Sequence, residues 1–277
     1  LYMLEKQNLL GLTQEQFKKF FSDLDEKPFR TKQIMQWIYH QGASNFDDMH
    51  NFSKDLRQKL SAIASLELPE VVSINNSKDG VIKWVIKLGE ENHIETVYIP
   101  QKDRGTLCIS SQVGCALACT FCSTGYQGFN RNLKSYEIIA QVLIAQNHLR
   151  ESNKRISNVV FMGMGEPLLN ESPVYDACEL LLDDWAFGLS RRRVTVSSSG
   201  IVPALLRMSD KVPVSLAISL HASNDELRDE EGKHNDYFLS ILKKFIIEEN
   251  IVNSGKQNIG ISKLLINEYK EETAKMN

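Results

Sequence analysis

The apolar positions of this chain change their period twice. Up to residue 66 they recur every three or four residues, the repeat of a helix with one buried stripe. Thr13-Gln14-Glu15-Gln16 has the form of a capping box, and Phe17, Phe20, Phe21 and Leu24 then fall on one stripe. The stretch 31–40 repeats the pattern with Ile34, Trp37 and Ile38, and Ser53 opens a third helix with Leu56 and Leu60 inward. Residues 1–66 are therefore expected to form a small helical accessory domain. The period then falls to two. The stretches 71–74, 81–88 and 93–99 read as strands, and Lys78-Asp79-Gly80 is a hairpin turn signal between the first two. Residues 67–100 are expected to form a short antiparallel sheet that joins the helices to a larger C-terminal region.

From residue 106 onward, short apolar strands alternate with helices. Strands are expected over 106–111, 158–163, 193–198 and 214–222, and helices over 135–151, 174–185, 202–209 and 237–249. Four β/α units in series predict an α/β fold over 101–230. Its parallel sheet would be open or closed into a partial barrel, with right-handed connections. Active groups of such folds sit on the loops at the C-terminal ends of the strands. Residues 231–277 are expected to be an atypical segment that ends in a polar tail over 271–277, with 259–266 as a further strand.

The 277 residues are 42% hydrophobic and 24% charged, the composition of a soluble globular protein. No apolar run approaches a membrane span, and the opening Leu1-Tyr2-Met3-Leu4-Glu5-Lys6-Gln7 lacks the form of a secretory signal. A cytoplasmic monomer with no membrane partner is the expectation. A net charge of −3 argues against a protein that grips nucleic acid over its whole surface. Basic residues gather locally, most densely at Arg191-Arg192-Arg193, either as solvated faces or as a rim for RNA.

Candidate chemistry begins at Cys115-Ala116-Leu117-Ala118-Cys119-Thr120-Phe121-Cys122. Three thiols are one short of the four that usually close an iron–sulfur cube, and one short of a structural zinc site. In a cube, three thiolates hold three irons and leave the fourth for a small chelating ligand. Cys108 lies upstream, so four thiols fall close together and structural zinc remains the alternative. The five cysteines do not resemble a disulfide framework, which points to a reducing compartment.

Other candidates lie at the ends of the later strands. Gly163-Met164-Gly165-Glu166-Pro167 lets backbone approach a ligand and presents a carboxylate able to accept from an ammonium group; a plain tight corner is the alternative. Ser197, Ser198 and Ser199 offer hydroxyls to a carboxylate or ribose, or simply form a polar strand end. Ser219-Leu220-His221 ends the fourth strand, where the histidine is either structural or part of the site. Glu95 shares a strand face with Val97 and Ile99, and a carboxylate on an apolar face is costly unless it is paired or keeps its proton. Glu95 is therefore a general-base candidate, or an edge-strand residue reaching water. Cys108 could be a fourth ligand, a redox thiol or a packed residue, and Cys178 sits among Val174, Leu181 and Leu182 as core.

The spacing of the three cysteines resembles that of the radical S-adenosylmethionine (SAM) superfamily. The stretch 95–229 is similar to one family within it, the bacterial dual-specificity ribosomal and transfer RNA adenine-C2 methyltransferases. The likeness rests on Glu95-Thr96-Val97-Tyr98-Ile99-Pro100, on Thr106 through Cys115, on Cys119-Thr120-Phe121-Cys122-Ser123-Thr124 and on Gln127-Gly128-Phe129-Asn130-Arg131-Asn132-Leu133. It continues in Met162 through Asn170, Arg192-Arg193-Val194-Thr195-Val196-Ser197 and Ala217-Ile218-Ser219-Leu220-His221-Ala222. The N-terminal helices are also similar to the family's accessory domain.

The resemblance implies a partial radical SAM barrel, with a [4Fe-4S] cluster on Cys115, Cys119 and Cys122. It implies a SAM site at Gly165, Glu166, Ser197, Ser219, Leu220 and His221. Glu95 would be the proton acceptor, and Cys108 the thiol that resolves a covalent enzyme–RNA intermediate. It also implies 23S rRNA and tRNA as substrates, and an electron donor such as flavodoxin or ferredoxin. Members of the family use two SAM molecules: one methylates an enzyme cysteine, and the other yields a radical that activates that methyl group for addition at C2. In the family the methyl-carrying cysteine lies in a C-terminal segment, whereas this sequence has no cysteine after Cys178. After Leu227-Arg228-Asp229-Glu230 it departs from the family with Glu231-Gly232-Lys233-His234-Asn235. The expectation is an atypical or truncated C-terminus and impaired methyl transfer. The related C8-methylating resistance enzymes and an inactive SAM- or RNA-binding paralogue are the alternatives.

Overall fold

The computed structural model describes residues 6–120 and 122–219. The helix expected over 237–249, the strand over 259–266, and Phe121, Leu220 and His221 lie outside these residues. In chain order the strands are β1 (Gln7–Asn8), β2 (Ala64–Ser65), β3 (Val71–Asn76), β4 (Ile82–Leu88), β5 (Asn92–Gln101), β6 (Arg104–Cys108), β7 (Gln112–Gly114), β8 (Phe129–Asn132), β9 (Asn158–Phe161), β10 (Val194–Ser198) and β11 (Ser215–Ile218). The helices are α1 (Gln14–Ser22), α2 (Arg30–Met35), α3 (Lys54–Ile63), α4 (Ser123–Tyr126), α5 (Ser135–Glu151), α6 (Glu171–Leu182) and α7 (Val202–Lys211).

The capping box at α1 is formed: the Gln16 N–H donates to Thr13 Oγ1 at 3.4 Å, and the Thr13 N–H to Gln16 Oε1 at 2.9 Å. Phe17 and Phe21 are buried behind it, with Phe20 edge-on to Phe21 at 5.5 Å. The second helix differs from its expected stripe. After Met35 it widens into a π-helical turn, Gln36–Gln41, that ends at Gly42 in the left-handed region. The wider turn buries Ile38 and Tyr39 together and leaves Trp37 half-buried, with its Nε1 donating to Asn51 Oδ1 at 2.7 Å. Tyr39 then donates to the Leu10 carbonyl at 2.8 Å. Gly11 passes so close to α5 that an added Cβ would stand 2.2 Å from the Tyr136 nitrogen. The helical segment is thus docked on the rest of the chain through backbone as well as side chains.

One seven-stranded sheet organises the molecule, in the order β11-β10-β9-β6-β5-β4-β3. The four strands β6, β9, β10 and β11 are mutually parallel, while β3, β4 and β5 add an antiparallel half through the β5–β6 pairing. The joining sheet and the parallel strands are therefore hydrogen-bonded into one surface. Among the described residues this sheet does not close on itself, as expected of a partial barrel.

Side chains alternate across the sheet. Trp84, Ile94, Tyr98, Leu107, Val159, Val196 and Leu216 share the buried face, with α5 packed against β4 and α6 against β10. The opposite face carries Glu95, Val97, Thr106, Cys108, Asn158, Val160, Thr195, Ser197 and Ala217, all half-buried or exposed. Among the described residues no helix is long and apolar enough to cross a membrane.

Candidate active site

The parallel strands all end at one edge, and the loops leaving that edge carry the candidate residues. Beyond β6 the chain forms an antiparallel ribbon, β7 with β8, that strands of three and four residues do not signal in the sequence. The cysteines occupy the excursion between its two arms. The ribbon closes tightly: Gly114 and Gly128 both take positive φ, and the Cys115 N–H donates to the Gly128 carbonyl at 2.9 Å. Within the loop, Ala118 is left-handed (φ 45°) and the Cys122 N–H donates to the Cys119 carbonyl at 3.1 Å. A side chain on Gly125 would meet the Cys119 carbonyl at 2.6 Å, so α4 lies directly on the loop. Burial pushes the Cys115 thiol up, and Cys119, Glu166 and Cys122 add to the shift.

The second loop, after β9, packs against this ribbon. Gly165 (φ 96°) lies against Gln112, where an added Cβ would stand 2.4 Å from the Gln112 Cβ. Glu166 is 4% exposed, and its carboxylate accepts from the Leu168 N–H at 3.1 Å and the Ser199 N–H at 2.8 Å. Burial raises its pKa, and these bonds, with the Ser198 and Ser199 hydroxyls, offset part of the rise. The sequence suggests a carboxylate that faces a ligand; in the structure it also ties the loop after β9 to the loop after β10. A carboxylate has about four acceptor sites, so capacity for an ammonium group remains. Of the three serines, Ser198 and Ser199 are buried in the turn, whereas Ser197 lies half-exposed on the uncovered sheet face. The Ser219 N–H donates to the Ser198 carbonyl at 2.9 Å, which places it beside the same turn.

Glu95 takes the second of its two expected settings, a strand residue that reaches water. Its face of β5 is the uncovered one, because Ile94, Thr96 and Tyr98 take the buried side. The side chain is 48% exposed and pairs with Lys83 at 2.8 Å. Strand alternation identifies its neighbours but not which face the helices cover, so the argument from an apolar environment does not hold. Cys108 shares this face, since it pairs with Val97 across β5–β6. Burial pushes its thiol up to about 11, offset in part by a hydrogen bond from the Met162 N–H. Cys178 is fully buried on α6, as expected of core.

Buried polar residues that apolar periodicity cannot mark hold these loops. Gln141 on α5 takes the Ser110 N–H at 2.8 Å and the Thr96 hydroxyl at 2.8 Å, and donates to the Ser110 carbonyl at 2.9 Å. The Ser110 hydroxyl donates to the Glu95 carbonyl at 2.7 Å and accepts from the Met164 N–H at 2.9 Å. Asn170 donates to the carbonyls of Ser111 and Leu133 at 2.9 and 2.8 Å. Arg131 on β8 is fixed by two bonds to the buried Glu137 carboxylate, at 2.7 and 2.8 Å.

The donor set fits a cube. Three cysteines share one loop whose ends are hydrogen-bonded, and each thiolate would take its own iron. Among the described residues no three His, Cys, Asp or Glu side chains converge on a single-ion position, a convergence that a cube does not need.

Comparison with known proteins gives consistent matches. The family model "Ribosomal RNA large subunit methyltransferase N-terminal domain" matches residues 7–66, and that of the "Radical SAM superfamily" matches residues 109–246. The chain is 63% identical over 246 residues to the dual-specificity RNA methyltransferase RlmN of Vesicomyosocius okutanii subsp. Calyptogena okutanii (strain HA), covering 89% of this chain and 67% of that relative. It is 62% identical to the protein of the same name from Ruthia magnifica subsp. Calyptogena magnifica, with the same coverage. A crystal structure of a radical SAM methyltransferase from Sphaerobacter thermophilus superposes with a TM-score of 0.81 at 34% identity, over 88% of this chain and 74% of that one.

Proposed function

We infer that this chain, which belongs to the RlmN family of radical SAM RNA methyltransferases, holds a [4Fe-4S] cluster through Cys115, Cys119 and Cys122 and SAM beside it. Its target is C2 of adenine in ribosomal and transfer RNA, reached in a reducing cytoplasm with an external electron donor. One observation carries this reading: the ribbon that bears the cysteine loop, the turn at Gly165 and Glu166, and the serines after β10 lie side by side on one sheet edge, with hydrogen bonds from ribbon to turn and from turn to serines. When bound, the cluster and SAM supply the one-electron chemistry and the methyl carbon that side chains lack.

The chain's own residues bind and orient. Glu166 accepts from the SAM ammonium group while its backbone bonds keep it in place. Ser197 and Ser219 address the cofactor's polar groups; Leu220 and His221, which the resemblance adds to that site, lie outside the described residues. Cys108 holds its proton on the uncovered face and serves as the resolving thiol, with Glu95 two residues away across the β5–β6 pair as proton acceptor. The adenine enters splayed from its stack, as a loop of RNA allows.

The test is anaerobic reconstitution with iron and sulfide. Reductant and SAM are then added, with and without RNA. A brown protein that forms 5′-deoxyadenosine is expected; a colourless protein with tightly held zinc would refute the reading.

A further inference from the structure

Gln112 stands three residues before Cys115 and is 1% exposed. Its side chain reaches in two directions. The amide oxygen accepts from the Glu166 N–H at 2.9 Å, inside the cofactor turn. The amide nitrogen donates to Asn132 Oδ1 at 2.8 Å, on the returning arm of the cysteine ribbon. Asn132 in turn donates to the Leu169 carbonyl at 3.1 Å. The Gln112 backbone N–H donates to the Met164 carbonyl at 3.2 Å, and its Cβ fills the space that Gly165 leaves by having no side chain. One amide therefore spans the thiol loop and the turn that carries Glu166. The Glu166 carboxylate carries the connection on to Ser199.

We propose that Gln112 is a positioning residue that sets the distance between the cluster loop and the SAM turn, so that SAM meets cluster and turn together. The proposal rests on the cluster and SAM assignments of the proposed function. Its physical ground is the cost of leaving the buried Glu166 N–H without an acceptor. Without the amide that turn must move to find another partner, whereas the three cysteines keep the ribbon that holds them. Cofactor affinity and iron content should then separate.

The experiment compares wild type with Gln112→Met and Gln112→Glu. Methionine has similar volume and neither amide group; glutamate keeps an acceptor for the Glu166 N–H. Each protein is reconstituted anaerobically and scored for iron per chain, SAM affinity by equilibrium dialysis, and the change in the cluster's electron paramagnetic resonance signal on adding SAM. Equal iron is expected in all three. SAM affinity should fall by about tenfold in Gln112→Met and by less in Gln112→Glu, with the spectral response weakened in the same order. Affinity within about twofold of wild type in Gln112→Met would overturn the proposal. So would iron lost in step with SAM, or a glutamate variant no better than methionine. If Gln112→Met does not fold, Gln112→Leu takes its place: SAM binding weaker than in Gln112→Glu at equal iron supports, and equal binding in the two variants overturns. A wild-type protein that holds iron and ignores SAM would instead sink the reading of the site itself.

Discussion

Cys108, for which we propose the resolving role, carries a thiol that resists ionisation. The thiolate is the nucleophile, and a pKa of about 11 against an ordinary value of 9.0 leaves the thiolate about 100-fold scarcer near pH 8. In the cluster-free protein, alkylation of Cys108, measured by peptide mass mapping, should accelerate about tenfold per pH unit from 8 to 10 and level off near 11. A plateau already near pH 9 would contradict this. Glu95 lies on the same sheet face, two residues along β5 from Val97, the register partner of Cys108. Arg131 illustrates a different case. Its side chain is one-third exposed, but its partner Glu137 is buried. Arg131→Ala should therefore cost about 2 kcal/mol in urea unfolding, less than the loss of a fully buried ion pair. Neither Gln112 nor Gln141 is legible in the sequence as a site residue. A buried amide leaves no period in the sequence, and its partners here are largely backbone groups that every residue carries.

At the level of elements, the cysteine loop depends on two glycines at the neck of the β7–β8 ribbon. A Cβ on Gly114 would lie 1.8 Å from the Gly128 carbonyl, and Gly114 itself has φ 73°. Gly114→Ala should open the ribbon and reduce reconstituted iron severalfold, while far-ultraviolet circular dichroism stays close to wild type; iron content near wild type would count against this. The regular elements are readable from the sequence. The helix expected over 135–151 has those bounds in the structure, and the four parallel strands lie within or close to their expected ranges, because burial on one side imposes a period. The ribbon is not readable, since strands this short show no period. The π-helical turn escapes sequence reading for a related reason. A helical wheel assumes a constant turn, and Gln36–Gln41 widens it to bury Tyr39 beside Ile38.

Across the whole molecule, the sequence suggests a helical segment, a joining sheet and a barrel, while the packing unites them. One apolar cluster runs from Leu9, Phe21 and Tyr39 through Trp84 and Ile94 to Val196 and Ile218. Tyr39 meets Phe187 at 5.2 Å, and Gln14 and Gln16 bond Asp183 and Asp176, so the N-terminal helices touch the far side of the core directly. Tyr39→Phe removes the partner of the buried Leu10 carbonyl and should lower stability by about 1 kcal/mol, seen as a lower Tm with SAM affinity unchanged. A continuous core has a thermal signature. Calorimetry of the protein should show a single heat-absorption peak spanning helices and sheet, and amides in α1 should exchange with deuterium no faster than those in β9. Sequence drift in the N-terminal helices would then be felt at the cofactor edge, some distance away, as heat lability.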